Sequence, residues 1–165
     1  MSGPDVSAFN RLSADEARGL LRTCLDVPRW VDELEGGRPY AGWPALRVAA
    51  EESAAALTDG ELVAALARHP RIGERAGADH DAQHSEREQA GVDPADDEVA
   101  RRLAAGNAAY ERRFDRVFLV RAAGRSAPEI LAELDRRLDN DDETERDETV
   151  RQLGEIAVRR LEGTI

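Results

Sequence analysis

The chain has three histidines, and one of them, His69, lies in the run "LARHPRIGER" at 66–75, immediately before Pro70. Imidazole is the side chain whose ordinary titration falls near neutral pH, so a histidine on an inward face is a candidate general acid or base. His80 and His84 stand four residues apart in a polar stretch. Were that stretch helical, His80, His84 and Glu88 would share a face and could ligate a metal. The stretch lacks the Glu that directly follows the first His in the zincin pattern, and Ser85 reads as the start of a new helix, so no metal site is expected. Arg137 borders an apolar face, where its stem can cover core surface or its planar fork can hold an anion. Asn107 falls among apolar positions and needs hydrogen-bond partners. Cys24 is the only cysteine; it reads as a small buried hydrophobe among Leu20, Leu21 and Leu25 and leaves no intrachain disulfide possible.

Helices must position these groups. Ser or Thr is followed three residues later by Glu at Ser13–Glu16, Thr58–Glu61, Ser85–Glu88 and Ser126–Glu129. In this capping-box spacing the hydroxyl and the carboxylate satisfy the free amides of a helix start. After Ser13, the residues Ala17, Leu20, Leu21, Cys24 and Leu25 recur at helical spacing, and Pro28 closes the run. After Thr58, Leu62, Val63, Leu66 and His69 are expected along one core-facing side, with Pro70 disfavouring helical geometry at His69 itself. Further helices are read from Trp43 to Leu57 and from Pro94 to Phe114, the latter with Val99, Leu103, Asn107, Tyr110 and Phe114 on one face. "VFLV" at 117–120 is β-prone but short, so an extended segment is expected rather than a sheet, followed by a turn at Gly124. The helix from Ser126 carries Ile130, Leu131, Leu134 and Leu138, and a last one carries Val150, Leu153, Ile156, Ala157 and Leu161. Stretches 36–42 and 73–84 read as surface loops.

Composition agrees with a helical chain. The 165 residues are about one domain's length, and aromatics, at 4%, are scarce beside Ala, Leu, Arg, Asp and Glu. A formal net charge of −11 disfavours a nucleic-acid partner, whose affinity rests on clustered Lys and Arg. The N-terminal stretch lacks the apolar core of a signal peptide, and no run approaches the ~20 apolar residues of a membrane span. A cytoplasmic protein with no membrane contact is expected. There is no Gly-rich phosphate loop, no nucleophile elbow and no catalytic Cys/His pairing. A non-catalytic acidic module for a basic partner would explain the charge but not an inward His69 beside Pro70; a metal-dependent hydrolase would use His69, His80 and His84.

Taken together, the pieces resemble one family, the 2-oxo-4-hydroxy-4-carboxy-5-ureidoimidazoline (OHCU) decarboxylases of urate degradation. The matching pieces are "FNRLS" at 9–13, "RW" at 29–30, "RPY" at 38–40, "HPRIG" at 69–73 and "SEREQAGV" at 85–92, continuing with "NAAYERRF" at 107–114, "FLVRAAGRS" at 118–126 and "RLDN" at 137–140. One departure is Asp115, where such proteins usually carry glycine; Asp is among the few residues able to adopt glycine's left-handed backbone.

The resemblance implies an all-α fold, a single-domain bundle of about eight helices over 1–165 with one short extended segment near 117–121. It implies a homodimer and cofactor-free decarboxylation of OHCU to (S)-allantoin, with possible functional coupling to the hydroxyisourate hydrolase that makes the substrate. By the same match His69 is the catalytic acid/base and Glu88 its carboxylate partner. Pro70, Ser85, Gln89, Phe118, Leu119, Val120, Arg121 and Arg137 are substrate-binding, with the backbone near 118–122 holding ureido and ring amides and Arg137 holding anionic or carbonyl edges.

His80 and His84 fall outside the matching pieces. Exposed loop positions of this kind alter stability by no more than about 0.5 kcal/mol when changed. A His80→Ala, His84→Ala double variant is therefore expected to keep most of its decarboxylase activity; loss as complete as that of His69→Ala in the same assay would show that these histidines belong to the site.

Overall fold

The computed structural model describes residues 3–69, 97–122 and 124–165. Among them are eight helices: α1 Val6–Arg11, α2 Ala14–Cys24, α3 Pro28–Gly36, α4 Trp43–Ala55, α5 Asp59–Leu66, α6 Asp97–Phe114, α7 Ala127–Leu138 and α8 Asp142–Thr164. No strand occurs among the described residues. The chain forms two compact units, one of residues 1–65 with 153–165 and the other of residues 66–152.

Local chemistry starts these helices as the spacing requires. Ser13 accepts from the Glu16 amide while Glu16 accepts from the Ser13 amide, and Ser126 with Glu129 does the same for α7. Thr58 and Glu61 make the same reciprocal pair ahead of α5, at 2.9 and 3.2 Å. The Ser85–Glu88 pair, the expected loop at 73–84 and residues 94–96 of the expected long helix lie outside the described residues.

In the first unit, α1 and α3 were not anticipated. Pro28 does follow the end of α2, but it also opens α3 as its first residue, where a missing N–H costs nothing. Trp30 is fully buried and donates its indole N–H to the Ala50 carbonyl at 3.1 Å. Its neighbour Arg29 bridges three helices: Nε reaches Glu61 at 3.0 Å, Nη1 reaches Glu33 at 3.1 Å, and Nη2 donates to the Ser53 carbonyl at 3.1 Å. Stretch 36–42 is more constrained than a plain surface loop, because Arg38 is half-buried and donates to the Phe9 and Leu12 carbonyls at 3.0 and 2.7 Å, closing the end of α1. Along α5, Leu62, Ala65 and Leu66 are buried but Val63 is 68% exposed, which corrects the expected face. At about 100° per residue, positions 62, 65, 66 and 69 span a narrow arc, and 63 falls outside it.

The second unit is built on the predicted face of α6. Leu103, Tyr110 and Phe114 join Phe118, Val120, Ala122, Ile130, Leu131 and Leu134 in one apolar cluster. Tyr110 packs on Phe114 and Phe118 with ring centroids 4.8 and 5.2 Å apart. Asn107 is buried on the same face, as expected. A Cβ on Gly106 would lie 2.3 Å from Leu134 Cδ2, so any larger residue there forces the buried Leu134 side chain to move.

Two positions decide how the chain leaves α6. Asp115 has φ +55°, the left-handed conformation of a helix-ending residue, and its amide closes the helix on the Glu111 carbonyl at 2.9 Å. Aspartate therefore adopts the left-handed backbone that glycine commonly supplies at such a helix end. Residues 117–122 then run outside any helix or strand, with Phe118, Leu119 and Val120 buried.

Arg137 is not at a border: it is fully buried. Nε donates to Glu145 Oε1 at 2.8 Å, Nη1 to the Leu119 carbonyl at 2.6 Å, and Nη2 to Glu145 and to Thr149 Oγ1. Its guanidinium also lies over the Phe118 ring, 4.9 Å from the centroid.

Replacing Asp115 by glycine removes the steric cost of a side chain at positive φ, so Asp115→Gly is expected to stabilise the protein by about 0.5–1 kcal/mol, read as a Tm rise of roughly 1–4 °C. Arg137→Lys keeps one charge but cannot reach Glu145, Thr149 and Leu119 together. Thermal unfolding of that variant is expected to show a loss of about 2–4 kcal/mol, or roughly 5–15 °C in Tm.

Candidate active site

His69 stands three residues beyond the end of α5, half-buried, with its amide donating to the Leu66 carbonyl at 3.0 Å. A half-buried imidazole at a helix end can exchange protons with a bound molecule while its backbone stays anchored. Its four expected neighbours in the site, Pro70, Ser85, Glu88 and Gln89, lie outside the described residues, as do His80 and His84. Among the described residues there is no group of three or more His, Cys, Asp or Glu side chains arranged to hold a metal ion.

The other expected site residues are brought together in the second unit. Arg137 fastens the Leu119 carbonyl from one helix, and Gln152 on α8 accepts the Arg121 amide N–H at 2.8 Å. Across a planar trans peptide the C=O of one residue and the N–H of the next point in opposite directions, so the Val120 N–H points away from the partner of the Leu119 C=O and the Val120 C=O away from the partner of the Arg121 N–H. Leu119 and Arg121 thus turn toward their protein partners, and the Val120 N–H and C=O turn to the opposite edge. Among the described residues neither Val120 group is hydrogen-bonded, although Val120 is only 2% exposed. A buried backbone donor and acceptor side by side are complementary to the acceptor and donor of an amide or urea.

Behind this edge is a polar network that sequence reasoning missed. Tyr110 donates to Glu145 Oε1 at 2.5 Å, and Thr149 Oγ1 donates to the Glu145 carbonyl at 2.8 Å. Burial, and then the bond to the Glu145 carboxylate, push the Tyr110 hydroxyl well above the ordinary tyrosine range, which keeps it a donor. Among the described residues, contacts to Glu145, Thr149 and Leu119 engage four of the five N–H hydrogens of Arg137, leaving one on Nη1. Next to this pair, Asn140 donates to Glu145 Oε2 at 3.0 Å and to Glu148. The available signal was periodicity: Glu145, Thr149 and Gln152 fall on the same helical face as Leu153 and Ile156, a polar set at core spacing.

Comparison with known proteins gives this geometry a family. The family model described as OHCU decarboxylase matches residues 10–162. The chain is 27% identical over 158 residues to the uric acid degradation bifunctional protein of Bacillus sp. (strain TB-90), covering 95% of this chain and 31% of that protein. It therefore spans about a third of the length of this curated relative. Its fold matches a crystal structure of OHCU decarboxylase in the presence of (S)-allantoin, with TM-score 0.68, 19% identity, and coverage of 85% of this chain and 92% of that one. It also matches a crystal structure of (S)-allantoin synthase, with TM-score 0.71, 16% identity, and coverage of 97% and 54%. The family match takes in both His69 and the whole of the Arg137-bound segment, and the chain belongs to the OHCU decarboxylase family.

Proposed function

We propose that the protein is a carboxy-lyase that converts OHCU to (S)-allantoin. The observation that carries this reading is the family match across residues 10–162, which includes His69 and the 118–122 segment. The substrate's carboxylate leaves from a ring carbon adjoining a C=N bond. The electron pair of the breaking C–C bond flows into that imine and carbon dioxide departs, leaving an enol at the hydroxyl-bearing carbon. The imine nitrogen takes up a proton, the enol hydroxyl gives up its proton as its carbon becomes a carbonyl, and one face of the ureido-bearing carbon receives a proton. The substrate serves as its own electron sink, so the reaction asks of the protein only positioning, hydrogen bonds to developing charge and one stereospecific proton delivery. No metal or organic cofactor enters this scheme.

In this reading His69 acts as acid/base at the hydroxyl and carboxylate end, with Glu88 as its carboxylate partner, Ser85 as a hydrogen-bonding neighbour, and Pro70 and Gln89 against the substrate. Val120 presents its N–H and C=O to the ureido group, flanked by Phe118, Leu119 and Arg121. Arg137 contributes through the Leu119 carbonyl it holds and through its remaining Nη1 hydrogen. Residues 1–165 act as one domain, which the length of the family match supports. We place the enzyme in the cytoplasm as a homodimer; the bifunctional character of the Bacillus relative supports coupling to the hydrolase that forms the unstable substrate.

Circular dichroism of freshly generated OHCU tests the activity directly, because spontaneous decay yields racemic allantoin and the enzyme should yield one enantiomer. General acid–base residues are typically worth 10²–10⁴-fold, so His69→Ala and Glu88→Ala are each expected to lower turnover at least roughly a hundredfold with the fold retained. Early melting of Glu88→Ala with unchanged activity per folded molecule would instead make Glu88 a helix cap. Activity is expected to survive exhaustive chelation; a loss that added zinc restores would overturn the cofactor-free scheme.

A further inference from the structure

We propose that Gln152 is a positioning residue for substrate binding: with Arg137 it grips one edge of the 119–121 backbone and so holds the Val120 peptide groups out for the substrate's ureido group. The proposal rests on the decarboxylase reading. Gln152 is 6% exposed and occupies a core-facing position of α8 immediately before Leu153, where an apolar side chain would pack without the cost of burying an amide. What glutamine supplies there is an acceptor for the Arg121 N–H, at 2.8 Å.

The two anchors work as a pair. One hydrogen bond to a stretch of chain leaves it able to pivot about that point; a second, two residues along the same edge, stops rotation about the chain axis. Arg137 provides the first at the Leu119 carbonyl and Gln152 the second at the Arg121 amide. Both trace to one face of α8, Gln152 directly and Arg137 through its ion pair with Glu145, seven residues earlier on that helix. With both in place, the orientation of the Val120 donor and acceptor is set before any ligand arrives, which lowers the ordering cost of binding.

The test uses the full chain, freshly generated OHCU, and amide hydrogen exchange followed by NMR. Gln152→Met keeps the length of the side chain but removes the acceptor, and Gln152→Glu restores an acceptor oxygen in either protonation state. Gln152→Met is expected to raise KM about five- to tenfold, to leave kcat within about twofold, and to speed exchange at the Arg121 amide. Gln152→Glu is expected to return both readings toward wild type. Should Gln152→Met fail to fold, Gln152→Asn, which withdraws the acceptor by one methylene, serves for the same measurements. Unchanged Arg121 exchange overturns the grip, and faster exchange with unaltered KM overturns its role in binding, as does a Gln152→Glu variant as impaired as Gln152→Met. A wild type inert toward OHCU would sink the decarboxylase reading and the substrate role with it. The exchange difference between wild type and Gln152→Met would persist in that case, which tells that failure from a failure of the grip.

Discussion

Two opposite charges sealed from water, Arg137 and Glu145, set the terms for the second unit. Taking each ion out of water costs several kcal/mol even after relaxation, and the attraction between them offsets this only when their other hydrogen-bonding positions are filled. The surroundings meet that condition: Tyr110 from α6, Thr149 and Asn140 from either side of the pair, and the Leu119 carbonyl from the segment before α7 all converge on it. Apolar residues of equal volume would pack as well, yet they would leave the Leu119 carbonyl with no donor. The ion pair therefore adds direction more than stability, drawing α6, α7, α8 and the 117–122 segment to one point.

Much of this architecture is legible in the amino-acid order because local rules and packing agree. The caps at Ser13, Thr58 and Ser126 need only a hydroxyl and a carboxylate three residues apart, and each forms. The face of α6 from Leu103 to Phe114 follows from a 3.6-residue period over about three turns. Short elements behave differently. The six residues of α1 carry too few periodic positions to stand out, and Pro28 closes one run and opens another with the same ring. Val63 shows the limit of a hydrophobicity criterion, since valine one step off the buried arc turns to solvent without penalty to the fold.

The site was less legible than the fold. His69 is marked in the sequence by its helical spacing from Leu62 and Leu66, but an imidazole at a helix end is common, and only the order of "HPRIG", "FLVRAAGRS" and "RLDN" along the chain gives it a chemical setting. Backbone groups leave almost no trace in composition: in the proposed site the Val120 N–H and C=O act through what fastens their neighbours, and any β-prone residue would read alike. Glu145 and Gln152 were hidden because charged and amide side chains on a surface-like helix are ordinarily solvated. Their burial becomes visible only when Arg137 and Arg121 are seen to reach for them.

The left-handed Asp115 and the turn at Gly124, with φ +78°, bound the segment between α6 and α7 at its two ends, and side chains pin it between them. A sheet would allow a strand to exchange one ladder partner for another. Here its hydrogen bonds go to single side chains on helices, so the segment has one register. Adding or removing a residue between Phe114 and Ser126 would bring Val120's edge round to Arg137 and Gln152 and present Leu119's or Arg121's instead. Side chains along this stretch are thus free to vary within the limits of packing, whereas its length is not, and families built on this device should accept substitutions there far more readily than insertions or deletions.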